Sequence, residues 1–309
     1  MLQAAQPIAA PQVARPAAAL MPLLRELGHL KRITSAGRSG SIAARLFAGA
    51  WGALVAGTDP AEVMRVTVAA ALAAARLGDL DAAKLRELGL SEVESRLVLE
   101  RSFDAVSENL DEDLASALRA ALGSDLASAD VPAFVANLAD QPRAGVTCPG
   151  KPRLVLQPTE SHAEHCWTVA LYGVLLAPVY GADPVAVFLS GLGHHFHNAA
   201  MPDSGFTGEM LLGDLLDGVI ERSRRRALDQ LSEPLREVFE VALGPIARDD
   251  TPEGRTFNAA DVIDRVLEIE QHLAVREATM ATVLGDYELV HAGPVKGFHD
   301  RVLSEVGLL

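Results

Sequence analysis

Cysteine is almost absent: Cys148 and Cys166 are the only two in 309 residues. That is too few for a disulfide framework, and nothing else in the chain suggests an oxidising compartment, so a cytoplasmic protein is expected. Aromatic residues make up only 5% of the chain while alanine and leucine dominate. Such side chains lose little rotamer freedom in a helix, and no stretch shows the period-two alternation or Asn-Gly turns of a sheet protein. The expected fold class is all-α. Basic charge is also scarce. A net charge of -14 and a pI near 5.1 exclude a sequence-independent grip on nucleic acid or an anionic membrane, both of which need a basic field. The longest uncharged run, Cys166 to Ala182, contains Pro178 and ends at Asp183-Pro184, short of the roughly 20 residues of a membrane span. Gly-rich phosphate loops, paired zinc-type cysteines and a Gly-x-Ser-x-Gly elbow are missing as well.

What is present reads as two helical regions behind a tail. Residues 1–20, with Pro7, Pro11 and Pro16 and no charged leader, match neither a signal peptide nor a helix and are expected to be a loose Ala/Pro-rich tail. Residues 21–145 read as an amino-terminal helical domain, with helices over 22–31, 41–55, 60–77, 82–87, 91–107 and 111–122. Ser91 with Glu94 has capping-box spacing, and Asp59-Pro60 supplies an N-cap and an N1 proline. Four prolines and two glycines between Pro142 and Pro158 place a boundary near residue 145. Residues 146–309 read as a second helical domain, with helices over 161–179, 184–195, 208–226, 233–243, 258–284 and 296–306. At an offset of 124 residues, Gly57-Thr-Asp59-Pro60 overlies Gly181-Ala-Asp183-Pro184. Ser41, Ala70 and Ala71 then take the places of His165, His194 and His195, as a degenerate duplicate would. Trp51 and Trp167 fall on apolar helix faces and are expected in the core.

The chemistry concentrates in the second region. Five of nine histidines, His162, His165, His194, His195 and His197, fall within thirty-six residues. Imidazole is the commonest transition-metal ligand, and histidines three apart on a helix share a face, so the cluster points to a metal site.

From about residue 158 to 285 the chain resembles the HD-domain superfamily of metal-dependent phosphohydrolases. His165 opens the helix HCWTVALYGVLLA, the turn 181–184 follows, the next helix ends AVFLSGLGHHFHNA, and Asp261 lies in the later stretch NAADVIDRVLEIEQH. Glu164-His165, and Asp203 nine positions after His194, look most like the bacterial 5'-nucleotidase-like members, with a displaced echo in Thr207-Gly208-Glu209. The resemblance implies an HD-like helical bundle in which His165, His194, His195 and Asp261 hold one divalent transition metal: Zn, Fe, Co, Ni or Mn. It implies a small phosphate ester, such as a nucleotide, as substrate and Asp203 as general acid or base. His162, His197 and Asn198 would be additional ligands or substrate contacts, and Arg143, Lys151 and Arg153 would neutralise the phosphate.

Two departures weigh against catalysis. The family's His-Asp pair reads His194-His195, replacing an anionic oxygen ligand with neutral nitrogen, and Asn198 stands where that branch has a catalytic Glu. Asp203 can equally be an Asx-turn residue, and His197 an exposed residue past a helix end. A non-catalytic ligand-binding or protein-interaction module is therefore the alternative. An HD-type oxygenase is a further one, although it needs more histidines than the none found between His197 and His272. Residues 21–145 would serve as a lid, a homodimer surface or an inert duplicate.

Overall fold

The computed structural model describes residues 14–273, 279–286 and 288–309. Among them no strand occurs, and the chain is all-α. Fourteen α-helices run in order: α1 (Ala14–Gly28), α2 (Ile42–Val55), α3 (Pro60–Leu77), α4 (Ala82–Glu87), α5 (Glu92–Asp104), α6 (Glu112–Ala120), α7 (Ala133–Asp140), α8 (His162–Tyr180), α9 (Pro184–Gly193), α10 (Gly205–Leu212), α11 (Leu216–Leu228), α12 (Glu233–Leu243), α13 (Pro252–Leu273) and α14 (Lys296–Glu305). Among the described residues no helix is both long and apolar enough to cross a membrane.

Local capping sets most of these boundaries. Ser91 and Ser161 each form a full capping box, with Glu94 and Glu164, and Asp59 and Asp183 each cap a helix that begins on proline. The two Gly-x-Asp-Pro turns thus adopt one design, each with its glycine at positive φ.

The loose tail expected over residues 1–20 does not hold for 14–20, which are helical in α1; residues 1–13 lie outside the described residues. Pro22 sits inside this helix. An interior proline costs about 3 kcal/mol, but Leu20, Leu24 and Leu27 are buried at about 1.5–3 kcal/mol each, and together they outweigh it. Helix α7 was not expected. It is eight residues long, too short for a clear period, and is held by Phe134, Val135 and Leu138 packing inward. The helix expected over 258–284 begins earlier, at Pro252, where the Thr251 hydroxyl accepts the Gly254 amide at 3.0 Å, and is described as far as Leu273. Residues 274–278 lie outside the described residues, and Thr282–Asp286 form a π-helical turn.

One buried core runs through both halves of the chain. Trp51 of α2 stacks on Phe239 of α12 with centroids 4.7 Å apart, and meets Phe134 of α7 at 4.9 Å and Phe196 at 5.6 Å. The boundary segment near residue 145 is woven into that body. Val146 and Leu154 exchange two backbone hydrogen bonds of 3.0 Å, the Arg143 amide donates to Glu160 O at 2.8 Å, and the His162 amide donates to Gln141 O at 3.0 Å. Helices α8 and α9 pack closely because Gly191 has no side chain; a Cβ there would lie 2.4 Å from the Ala170 Cα. That approach brings the end of α9 against the start of α8, where the histidines are.

Candidate metal centre

Three helices bring the candidate ligands together. His165 lies in the first turn of α8, His194 follows the last residue of α9, and Asp261 lies on α13. Each histidine is oriented through its Nδ1. His165 Nδ1 donates to Asp264 Oδ2 at 2.7 Å, His194 Nδ1 to Gly191 O at 2.7 Å, and His195 Nδ1 to Asn198 Oδ1 at 2.7 Å. Such partners set the tautomer, leaving the Nε2 lone pair of each ring for the interior of the cluster. The three histidines each offer a nitrogen within 4.8 Å of the others.

The distances decide what these atoms can hold. His165 Nε2 lies 3.1 Å from His194 Nε2 and 3.2 Å from Asp261 Oδ1. All three are acceptors, and Asp261 Oδ1 is buried without a hydrogen-bond donor. Two nitrogens bound at about 2.0–2.1 Å to one metal stand about 3.3 Å apart in a tetrahedron and about 2.9 Å in an octahedron. The observed spacings fall between those values, and the His165, His194 and His195 group could hold one metal ion, with Asp261 Oδ1 beside His165.

Burial is the largest influence on the pKa values here. It drives those of His194 and His195 well below the usual imidazole range, and the neighbouring histidines add to the effect. For Asp261 burial acts to raise the pKa, but Arg265 and His165 outweigh it and hold the carboxyl well below its usual range. Neutral histidines and an ionised carboxylate are the protonation states that bind metal. Arg265 Nη2 donates to Asp261 Oδ2 at 3.1 Å, which leaves Oδ1 aimed at the histidines.

A cavity of about 160 Å³ opens beside His195, lined among others by Arg143, His162, Asp203, Glu209 and Arg265. Arg143 Nη1 is buried and unpartnered, as are Arg265 Nε and His162 Nε2. His162 Nδ1 lies 3.1 Å from Gln141 O, so its Nε2 is an acceptor, placed 3.7 Å from Asp203 Oδ2. Asp203 is itself fixed by backbone amides, from Ala144 to Oδ2 and from Gly205 to Oδ1, both at 2.8 Å. Burial works to raise its pKa, but Arg143 and those amides lower it on balance. Glu209 goes the other way, raised by burial and by the Asp203 charge.

The remaining expected site residues divide between the cavity wall and the surroundings. Lys151 is exposed and does not line the cavity. Arg153 is exposed and spends its guanidinium on the carbonyls of Ala144 and Ser204, at 2.9 and 3.0 Å. His197 is half-buried in the 3-10 turn Phe196–Ala199, with its ring 5.3 Å from that of His195, rather than exposed beyond the helix. Asn198 lines the cavity with both polar atoms in use, Oδ1 on His195 and Nδ2 on Met201 O at 3.2 Å, and so orients His195. Glu164 closes the capping box and accepts the Ser41 hydroxyl at 2.6 Å.

Sequence reasoning missed Asp264, Arg265 and Lys31. Asp264 and Arg265 lie three and four positions after Asp261, so helical spacing alone placed them near it. Nothing local pointed to Lys31, which arrives from the far end of the chain. Comparison with known protein families, characterised proteins and solved structures finds no match to this chain.

Proposed function

We propose that this chain is a divergent HD-like, single-metal phosphohydrolase acting on a small phosphate ester. The observation that carries the reading is the convergence of one nitrogen each from His165, His194 and His195 within 4.8 Å of one another, with Asp261 Oδ1 3.2 Å from His165 Nε2, beside a cavity lined by Arg143, whose buried Nη1 has no hydrogen-bond partner. Ligands also come from three helices in the chain order expected from the HD resemblance: a lone His, a paired His, then Asp.

A divalent transition metal held by His165, His194, His195 and Asp261 would supply Lewis acidity and a water of lowered pKa. The side chains around it have distinct tasks. Arg143 remains cationic although buried, in the field of Glu160 and Asp203, and neutralises the phosphate. His162 Nε2 and Asp203 Oδ2 are two acceptors 3.7 Å apart, and together they orient one O–H donor, the attacking water. Asp203 and Glu209 are carboxyls whose pKa values are pushed apart, which makes Glu209 the proton donor to the leaving group. A cavity of about 150 Å³ encloses a benzene-sized group, so one of about 160 Å³ takes the phosphate end of the ester and leaves the rest toward the mouth.

The test is phosphate release from a panel of small phosphomonoesters, including nucleotides, by protein reconstituted in turn with Zn, Fe, Co, Ni and Mn. Turnover that requires metal, disappears in His194→Ala and shows a raised KM in Arg143→Ala is expected. Metal binding without release of phosphate from any ester would refute the hydrolase and favour the non-catalytic ligand-binding alternative.

A further inference from the structure

His165 faces two groups of ligands, one through each ring nitrogen. On the Nε2 side are His194, His195 and Asp261. On the Nδ1 side are Glu160 and Asp264, and with His165 these also meet the spacing of a cation-binding group. The second group already holds a cation, because Lys31, from the 3-10 turn after α1, inserts its ammonium among the carboxylates. Its Nζ lies 2.5 Å from Glu160 Oε1, 2.6 Å from Asp264 Oδ1 and 3.4 Å from Glu268 Oε2, and the residue is 4% exposed. We infer that the Lys31 ammonium is a built-in cation at a second site sharing His165, supplied by the amino-terminal half of the chain to position that ligand for a single metal.

Connectivity makes Lys31 a positioning residue rather than a filler of the core. Asp264 is shared, with one oxygen on Lys31 and the other accepting His165 Nδ1 at 2.7 Å. While the ammonium holds Oδ1, the carboxylate cannot rotate, and Oδ2 stays in place as the acceptor to which His165 Nδ1 donates. Its Nε2 lone pair is then committed to the other group. Glu268 is held on its far oxygen by Arg32 and by His272 at 3.0 Å. The cluster therefore sets Lys31, Arg32 and, 4.0 Å from Glu160 Oε2, Arg143 against Glu160, Asp264 and Glu268, and loss of Lys31 leaves one negative charge in excess. An ammonium with three donors matches three converging carboxylates, and an oxygen-rich site of this kind suits a hard cation once the ammonium is gone.

The metal arm of the test rests on the single-metal reading above; the other arms do not. Wild type, Lys31→Met and Lys31→Ala are compared metal-free by 1H–15N NMR of histidine side chains, then titrated with Zn2+ and, separately, with Ca2+. Wild type should show His165 as one Nδ1–H tautomer and take one Zn2+. Lys31→Met should show mixed tautomers and bind Zn2+ 10–100-fold more weakly, the usual loss when a partner behind a ligand is removed. Lys31→Ala opens a space reachable from the cavity that Glu160 and Glu268 line. Ca2+ should raise its melting temperature while leaving wild type and Lys31→Met unchanged. Leu72→Ala, a buried change in α3, should lower stability but keep wild-type Zn2+ affinity and tautomer. An unaltered His165 tautomer in both Lys31 variants, or no Ca2+ response in Lys31→Ala, overturns the inference. Should neither variant fold, Asp264→Asn tests the same link, and retention of the wild-type tautomer there is equally fatal. If wild type binds no Zn2+, the hydrolase falls while the tautomer and Ca2+ arms still decide the role of Lys31.

Discussion

Replacing His194 with alanine separates a metal centre from a cluster of packed imidazoles. In the metal-free protein two lone pairs and a carboxylate oxygen face one another at 3.1 and 3.2 Å with no donor hydrogen between them, so a bound cation removes a standing repulsion. Metal at about 100 times its Kd stabilises the folded state by about 2.7 kcal/mol. Unfolding entropy near 2.1 cal/mol/K per residue gives about 0.6 kcal/mol/K for a chain of this length, so the melting temperature should rise by about 4 °C. The variant loses a buried ring packed 5.1 Å from Phe257, at a cost of about 2–5 kcal/mol before any metal is added. Its metal-induced shift should vanish. Thermal unfolding of chelated and metal-supplemented samples measures both quantities. A shift of equal size in variant and wild type, or no shift in wild type with any of Zn, Fe, Co, Ni and Mn, would refute the site.

Three further outcomes follow from the packing and the charges. Trp51→Ala should cost about 3–5 kcal/mol, and because Trp51 touches α7, α12 and Phe196, both halves should still unfold in one transition; two resolved calorimetric transitions would contradict the shared core. Stability should fall between pH 7.5 and 5.5: burial lowers the His162 pKa to about 3 and the His197 pKa to about 4, so both stay neutral when folded but take up protons near pH 6.5 when unfolded. At about 1.4 kcal/mol per pH unit each below 6.5 the loss is on the order of 2–3 kcal/mol, and a flat urea midpoint across that range would exclude it. Burial raises the Cys166 thiol far above its usual pKa, so the native protein should resist alkylation there at pH 8 and react at that position only after unfolding, as peptide mapping would show.

Much of the molecule was written locally. Capping residues and Asp-Pro turns set helix boundaries within a residue or two at α3, α4, α8 and α12, because those signals act over a single turn. Spacing likewise singled out the histidine cluster, while His165, His194, His195 and Asp261 were picked out as a set by the resemblance to the HD-domain superfamily. Where burial overrode local rules, the reading failed: α1 keeps Pro22 inside it, and α7 forms although it is too short to show a period.

By itself, then, the sequence determined an all-α chain with a histidine cluster, since helix propensity, capping and residue spacing are properties of neighbours along the chain. Only the tertiary structure decided the protonation and aim of that cluster. Asp264 and Asn198 choose the tautomers of His165 and His195, Arg265 turns Asp261, and Lys31, 233 positions from Asp264, supplies the buried charge behind them. Arg143 and Arg153, ten residues apart, go separate ways, one into the cavity and the other onto backbone carbonyls. Coulomb and desolvation energies depend on distance and burial in three dimensions, and neither can be read from order along the chain.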